Sequence, residues 1–525
     1  MPVADSWNYT YYYVLASKGI QDFILRGDKL KLMIGGSELV DDLPEKVVGE
    51  ILTAMDLKEG EDFLVLSKAA GGVRLLFAGK EPAERFCELV PPAFSLYSPD
   101  LDFVQAVEKI GDNLAETMDK AEKKLALRRS IIFPSYPSAG PLVERSPRSG
   151  QPSTGMIMVS GGNREEADNA MVIKFKAAEK ARSAMALKTL PARDNNMHYR
   201  LPDSFEELTS KDNSTIAIVH IDGNGLGSVV TSLFKELSRL GNEKATEAYR
   251  KFCIAIQEST EQSVQEALTP IIQAHENSGG NRKPLPFRPL ICAGDDVTIV
   301  LRAEDAIRFS VDFFESFEKH SEKKLLETGI EGLKNHLPLT ACAGIAFVKK
   351  SFPFSQAYGL CESLCRFAKD RTGRKCSALA FWRLTSSMAD DFTGILEREL
   401  TIRYSGENES RTVLTMMPYS AGTKAAGPRA EQLLELKEAV GRMPRGGLRS
   451  LLSDLFKGKK LAIQSFERLC DVNSEERTGR GGARQLDELL GALEAITGNS
   501  KAQALFAGDA TPLHDAVELI SAERS

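Results

Sequence analysis

The sequence predicts an α+β protein: two similar units of sheet and helix, followed by a helical C-terminal domain. Three observations carry this. Short apolar, β-branched segments alternate with amphipathic helical stretches over residues 1–133, and do so again over 213–385. Each unit holds a strand pair turned around an Ala-Gly corner, AAGGVRLLF at 69–77 and CAGDDVTIVL at 292–301. From about residue 395 the pattern is helical, broken by glycine clusters such as RTGRGGAR at 477–484.

In the first unit, YYYVLAS at 11–17 is aromatic and β-branched and predicts a strand. A helix is expected from about Gly19 and another through the 40s and 50s. FLVLSKA at 63–69 and GVRLLFA at 72–78 form the strand pair, and one long amphipathic helix is expected over about 101–128. Residues 134–165 are rich in Pro, Ser and Gly and open a linker, 134–212, with some helix after 164. In the second unit, STIAIVHID runs as a strand to Asp222, and helices follow at about 226–240 and 243–268. RPLICAG and DVTIVLR make a hairpin, 304–325 a helix, LPLTACAGIAFV a strand, 354–370 a helix and SALAFWR a last strand. The order β-α-α-β-β-α-β-α-β fits an antiparallel sheet backed by helices on one face, as in ferredoxin-like folds and polymerase palms. Residues 386–525 then form the helical domain.

Composition narrows the function. The 525 residues carry 67 basic and 73 acidic side chains, a net charge of −6, which excludes a generic basic coat for nucleic acid. No apolar stretch reaches the roughly 18–20 residues of a membrane span, and MPVADSWNYT does not read as a secretory signal. The eight scattered cysteines contain no Cys-x-x-Cys and predict reduced thiols in a cytoplasmic protein. Cys361 and Cys365 share the helical stripe Phe354, Ala357, Tyr358, Cys361, Leu364, Cys365 and Ala368, which predicts core thiols, and no structural zinc is expected. None of the six histidines precedes His198, so a His-Asp metal hydrolase in the N-terminal third is excluded. His514-Asp515 is expected to be a surface or capping pair.

Two motifs carry chemistry. IDGNGLG at 221–227 follows an apolar strand and precedes a helix, and AGDD at 293–296 sits at a hairpin corner. Each alone is ordinary turn chemistry. In this topology, however, the hairpin lies beside the first strand and brings Asp222 next to Asp295 and Asp296. Three carboxylates there repel one another unless a cation sits among them. Hard oxygen ligands suit Mg²⁺ or Mn²⁺, completed by substrate phosphate. The expected metal set is Asp222, Asp295 and Asp296, with the adjoining Ile221. Gly223, Gly225 and Gly227 leave backbone bare at a helix start, and with Asn224 and Ser228 they form the expected phosphate loop. Lys369 and Arg371, with Arg374 and Lys375 after them, end the 354–368 helix within expected reach of a triphosphate tail. Neither a Walker A sequence nor the dinucleotide-binding fingerprint occurs.

On these residues the second unit resembles the cyclase palm of the large subunit of type III CRISPR effector complexes. Members of that family carry Asp-Gly-Asp/Asn-x-x-Gly after the first strand and Gly-Gly-Asp-Asp on the hairpin, and make cyclic oligoadenylates from ATP. Asp222 matches the first-strand ligand, Asp295 and Asp296 the hairpin pair, and Lys369 a helix-end lysine near nucleotide phosphates. IQDFI at 20–24 and LMIGGSELV at 32–40 are similar to the family's first palm, and LTMMPYSAG at 414–422 to its C-terminal helical domain. The likeness spans most of the chain, but only the second palm's motifs are specific. Three departures stand out: no His-Asp nuclease domain, no zinc-binding cysteines near 134–155, and Ala293 where the hairpin's first glycine belongs. The first two imply a reduced or stand-alone member. The resemblance implies a nucleotidyltransferase condensing ATP or other nucleoside triphosphates into cyclic or linear oligonucleotides in antiviral defence, with other subunits of an RNA-guided complex and RNA as partners.

Two alternatives differ in class. A diguanylate cyclase on the related palm typically carries Gly-Gly-Asp/Glu-Glu-Phe, whereas Val297 follows Asp296 here. A non-catalytic nucleotide-binding scaffold would keep only a relic site. The first unit has no acid where the second has Asp222, and its corner reads Ala70-Gly71-Gly72. It is therefore expected to be catalytically silent and to supply the acceptor's pocket, with Gly35, Gly36 and Ser37 letting a base or ribose approach. The bland alternative is that these three serve a turn or a helix cap.

Overall fold

The computed structural model describes residues 7–69, 71–131, 140–158, 162–180, 184–191, 200–209, 214–279, 283–385, 391–404 and 410–524. Ala70 of the first corner lies outside them.

The first palm comprises β1 (Tyr11–Ser17), α1 (Ile20–Leu25), α2 (Leu30–Asp42), α3 (Val48–Ala54), β2 (Phe63–Ala69), β3 (Gly72–Phe77), α4 (Lys80–Tyr97), β4 (Phe103–Lys109) and α5 (Leu114–Arg129). Its sheet has the order β2-β3-β1-β4, antiparallel throughout. The single helix expected over 101–128 is corrected here. In FVQAVEK the alternate residues Val104, Ala106 and Glu108 are buried, the period of a strand, and Leu15 pairs with Gln105. The helix starts only after Asn113, whose side chain accepts from the amides of Ala115 and Glu116.

The linker contributes the hairpin β5 (Gly155–Met158) and β6 (Arg164–Ala167), then α6 (Asn169–Lys180), α7 (Ala184–Thr189) and α8 (Phe205–Leu208). The second palm follows as β7 (Thr215–Gly223), α9 (Leu226–Leu237), α10 (Asn242–Asn277), β8 (Phe287–Ala293), β9 (Asp296–Arg302), α11 (Ala306–Glu327), β10 (Ala341–Lys349), α12 (Phe354–Thr372) and β11 (Ser377–Arg383), the order expected. β7 is central, between β10 and β9, and only β10 and β11 pair in parallel, joined through α12. Ile216 through Ile221 are all buried. Successive strand residues face opposite sides, so both faces of the sheet are covered, not one.

The C-terminal region holds α13 (Phe392–Arg398), β12 (Thr401–Tyr404), β13 (Ser410–Val413), β14 (Tyr419–Ala421), α14 (Ala430–Arg442), α15 (Arg445–Leu455), α16 (Lys459–Val472), α17 (Glu475–Thr497) and α18 (Leu513–Arg524). It is not wholly helical. β12 pairs with β13, and β14 extends the palm sheet by pairing Tyr419 with Leu379 of β11. Among the described residues no helix is long and apolar enough to cross a membrane.

Asp515 is not at the surface. It is buried and accepts from Thr415 Oγ1 at 3.1 Å, Met416 N at 2.9 Å and the Tyr419 hydroxyl at 2.6 Å, pinning α18 to the start of β14. Burial pushes its carboxyl up to about 7 against the pull of these donors. The folded state then holds this proton more tightly than the unfolded chain. Its contribution is fully present below about pH 4 and is lost as pH rises toward 7. Asp515→Asn, which keeps an acceptor, is expected to flatten stability against pH across that window. Parallel denaturation curves for the two proteins from pH 4.5 to 7.5 would refute this.

Candidate active site at the ends of the central strands

The site begins with register. Ile221 lies opposite Val297 and His220 opposite Thr298, so Asp222 falls beside Asp296 on the face that also carries His220. Asp295 occupies the corner with Gly294, whose φ of +61 a glycine adopts without strain. The Asp295 carboxylate presses on β7: a Cβ on Gly223 would stand 2.5 Å from its Oδ2. Gly223 makes room for a carboxylate, and its amide helps hold it.

α12 covers this face at close range. A Cβ on Gly344 of β10 would stand 1.9 Å from the Cys361 carbonyl oxygen, so only glycine admits the helix backbone there. Cys361 and Cys365 are buried in that seam, as their stripe predicts. The same helix delivers Lys369, 5% exposed, whose Nζ donates to Asp222 Oδ2 at 2.6 Å and to the Gly223 carbonyl at 2.8 Å. Asp222 remains partly open to solvent.

The hairpin carboxylates are charge-frustrated. Burial, then the charge of Asp222, raises the Asp295 carboxyl. Burial, Asp222 and Asp295 push Asp296 up to about 8. Gln21 of the first palm donates to Asp296 Oδ2 at 3.3 Å. His220 Nδ1 lies 3.4 Å from Asp296 Oδ1, which has no hydrogen-bond partner. Burial lowers His220 to about 4, so its imidazole is neutral. Tyr358 and Thr298 each place a hydroxyl 3.4 Å from His220 Nδ1.

Several expected members are not brought to this cluster. Ile221 has an apolar side chain and is paired on both flanks, with Ala343 and Val297; the main-chain oxygen at the cluster that Lys369 reaches is that of Gly223. Asn224 turns inward, its Nδ2 donating to Thr340 Oγ1 at 3.0 Å and the Cys376 carbonyl at 3.1 Å; it ties the loop to the sheet. Arg371 leaves α12 about 200° round from Lys369. Its guanidinium lies over the Phe367 ring, 5.4 Å from the centroid. Arg374 and Lys375 are exposed beyond the helix end. Gly225, in a left-handed turn at φ +68, does start α9, and Gly227 and Ser228 are exposed on its first turn.

The first palm meets the cluster at a place the sequence did not single out. A cleft of about 490 Å³ runs between the two palms, lined by Ser17, Lys18, Gln21, Arg129, Ala293 and Asp296 among others. Gly35 and Gly36 do not open onto a ligand. A Cβ on Gly35 would stand 1.8 Å from the Lys174 carbonyl of α6, and one on Gly36 3.0 Å from Ile24 Cα. Ser37 donates to the Leu290 carbonyl and is buried. These three are a packing seam, not a pocket wall. The repeat alone could have pointed to Ser17–Gln21, which follow β1 as Gly223–Gly227 follow β7.

Among the described residues no group of three or more His, Cys, Asp or Glu side chains is gathered tightly enough to hold a metal ion. Lys369 neutralises Asp222 instead. The donor set nonetheless suits a divalent cation. It offers hard carboxylate oxygens on adjoining strand ends, two of the carboxyls half-buried and resisting ionisation, and the orphaned Asp296 Oδ1.

Residues 215–378 match the family model of Cas10/Cmr2, second palm domain. No curated protein matches the chain in sequence. Among solved structures, the fold matches Csm1 in T. onnurineus with a TM-score of 0.54 at 14% identity, covering 99% of this chain and 71% of that one. It also matches the apo Csm1–Csm4 cassette with a TM-score of 0.50 at 16% identity, covering 98% of this chain and 70% of that one. Residues 215–378 are thus a palm domain of the Cas10/Cmr2 second-palm type, and the chain as a whole has a fold similar to that of Csm1.

Proposed function

We propose that the chain is a magnesium-dependent nucleotidyltransferase that condenses ATP, or other nucleoside triphosphates, into cyclic or linear oligonucleotide messengers in antiviral defence. The observation that carries this is the convergence of Asp222, Asp295 and Asp296, with an unpartnered oxygen among them, beside Lys369. Asp222, Asp295 and Asp296 would hold Mg²⁺ or Mn²⁺, which when bound offsets their repulsion and stabilises charge on the transferring phosphoryl group. Lys369 would exchange its Asp222 contact for a donor phosphate oxygen. The start of α9, at Gly225 to Gly227, lets backbone amides approach the same phosphates. The inter-palm cleft faces Asp296 and would seat the acceptor, so that its 3′-hydroxyl is presented to the donor's α-phosphorus. By likeness to the Csm1–Csm4 cassette, the chain would work beside other subunits of an RNA-guided complex.

The scaffold reading draws on the Lys369–Asp222 pair, in which the chain's own cation already meets one of the three carboxylates. One experiment separates the readings. Purified protein is incubated with each labelled nucleoside triphosphate and Mg²⁺ or Mn²⁺. Oligonucleotide product from ATP, or from any triphosphate other than GTP alone, supports the proposal; nucleotide binding without product supports the scaffold; a cyclic dinucleotide from GTP alone supports the diguanylate cyclase.

If Lys369 grips donor phosphate, Lys369→Ala is expected to raise the donor KM about tenfold, the scale of one charge-assisted contact. Lys369→Arg would restore charge without the compact ammonium and recover only part. An unchanged KM in Lys369→Ala would remove Lys369 from the phosphate site.

A further inference from the structure

Resting on the metal-site reading above, we propose that Gln21 of the first palm is the positioning residue for Asp296 of the second. The first palm would thereby set the geometry of a cation site to which it contributes no ligand.

Three observations converge. Gln21 Nε2 donates to Asp296 Oδ2 at 3.3 Å across 275 residues of sequence, whereas Oδ1 of the same carboxylate has no hydrogen-bond partner. The helix carrying Gln21 is seated independently: Asp28 Oδ1, just beyond α1, accepts from the Ser355 amide at 3.2 Å, in the first turn of α12. The chain enters α1 through Gly19 in the left-handed conformation, φ +60, and this turn brings Gln21 to the wall of the cleft that Asp296 also lines.

The chemistry suits positioning. A carboxylate at a strand end can swing about χ1 and χ2, and only some rotamers turn an oxygen toward Asp222 and Asp295. A neutral amide that donates to one oxygen fixes the rotamer and leaves the other oxygen for a cation, adding no charge to an acidic cluster. A lysine in its place would compete with the cation, and a glutamate would add to the repulsion. The Asp28–Ser355 bond ties α1 to α12, the helix that also brings Lys369, so one docking registers both sides of the cluster. Groups that orient a metal-binding carboxylate from behind typically account for 10–100-fold in affinity or activity.

The test uses the full chain with Mn²⁺ as probe, its binding followed by electron paramagnetic resonance, beside condensation kinetics and thermal melting. Gln21→Met keeps the length and bulk of the side chain but has no donor; Gln21→Ala removes both. Both are expected to weaken Mn²⁺ binding about tenfold and to lower kcat similarly, with donor KM within about twofold and melting little changed. Should Gln21→Ala fail to fold, Gln21→Met carries the test. If Gln21→Met binds Mn²⁺ like the wild type, the hydrogen bond positions nothing and the inference falls while the site stands. If the wild type itself binds no Mn²⁺, the metal-site reading falls and the inference with it.

Discussion

Asp295→Ala combined with Asp296→Ala is expected to abolish nucleotide condensation in a protein that folds as well as the wild type or better. Both carboxyls are raised chiefly by burial and then by neighbouring acids, so the fold bears a cost for holding them. Removing them relieves that cost, the usual trade between stability and a frustrated active site. Loss of a whole cation would forfeit several kcal/mol of transition-state stabilisation, a fall of about 10³-fold or more. Turnover of labelled ATP and the melting temperature, read on one preparation, check both halves. Product formation within tenfold of wild type would remove these residues from catalysis. A large drop in melting temperature would show instead that they hold the hairpin together.

The second large effect is expected at Gly344, a residue that touches no substrate in the proposed reaction. A methyl group there meets the Cys361 carbonyl oxygen at 1.9 Å and the Cys365 amide nitrogen at 2.7 Å, both helix backbone. Neither can step aside alone, so α12 must lift from β10 by an ångström or more. Overpacking against backbone puts the cost of Gly344→Ala at about 3 kcal/mol. The same displacement withdraws Lys369 from Asp222 and disturbs Tyr358 against His220. A misplacement of about 1 Å can cost 10²-fold in rate, so activity is expected to fall even under conditions where the variant remains folded. Urea titration and turnover measured together test this. A variant as stable and as active as the wild type would show that α12 sits farther from the sheet than 1.9 Å implies.

Much of the site was legible because its signals are local. The run IAIVHI, apolar but for His220, predicts a strand, though its lack of alternation means cover on both faces where cover on one was expected; the acids follow directly at its end and at a hairpin corner. Those placements need only strand periodicity and the adjacency of a hairpin to its neighbouring strand. The stripe on 354–368 likewise put Cys361 and Cys365 in the core. Misreadings arose where a local pattern has two solutions. FVQAVEK next to a charged helix looked continuous with it, and only pairing with β1 separates strand from helix. Lys369 and Arg371 are two residues apart and alike in charge, yet the helical turn sends them to opposite flanks.

The sequence by itself determined the two-palm order, the acidic strand end and hairpin, and the lysine at the end of the covering helix, since each is written in spacing within one element or between neighbours. Tertiary structure alone decided that Gln21 meets Asp296, that Gly35 and Gly36 face Lys174 and Ile24, that Asn224 turns inward, and that Asp515 is buried beneath Tyr419. Those contacts join residues far apart in the chain, and their partners are chosen by how whole helices dock. Docking is set by the summed fit of many side chains, which no local period encodes.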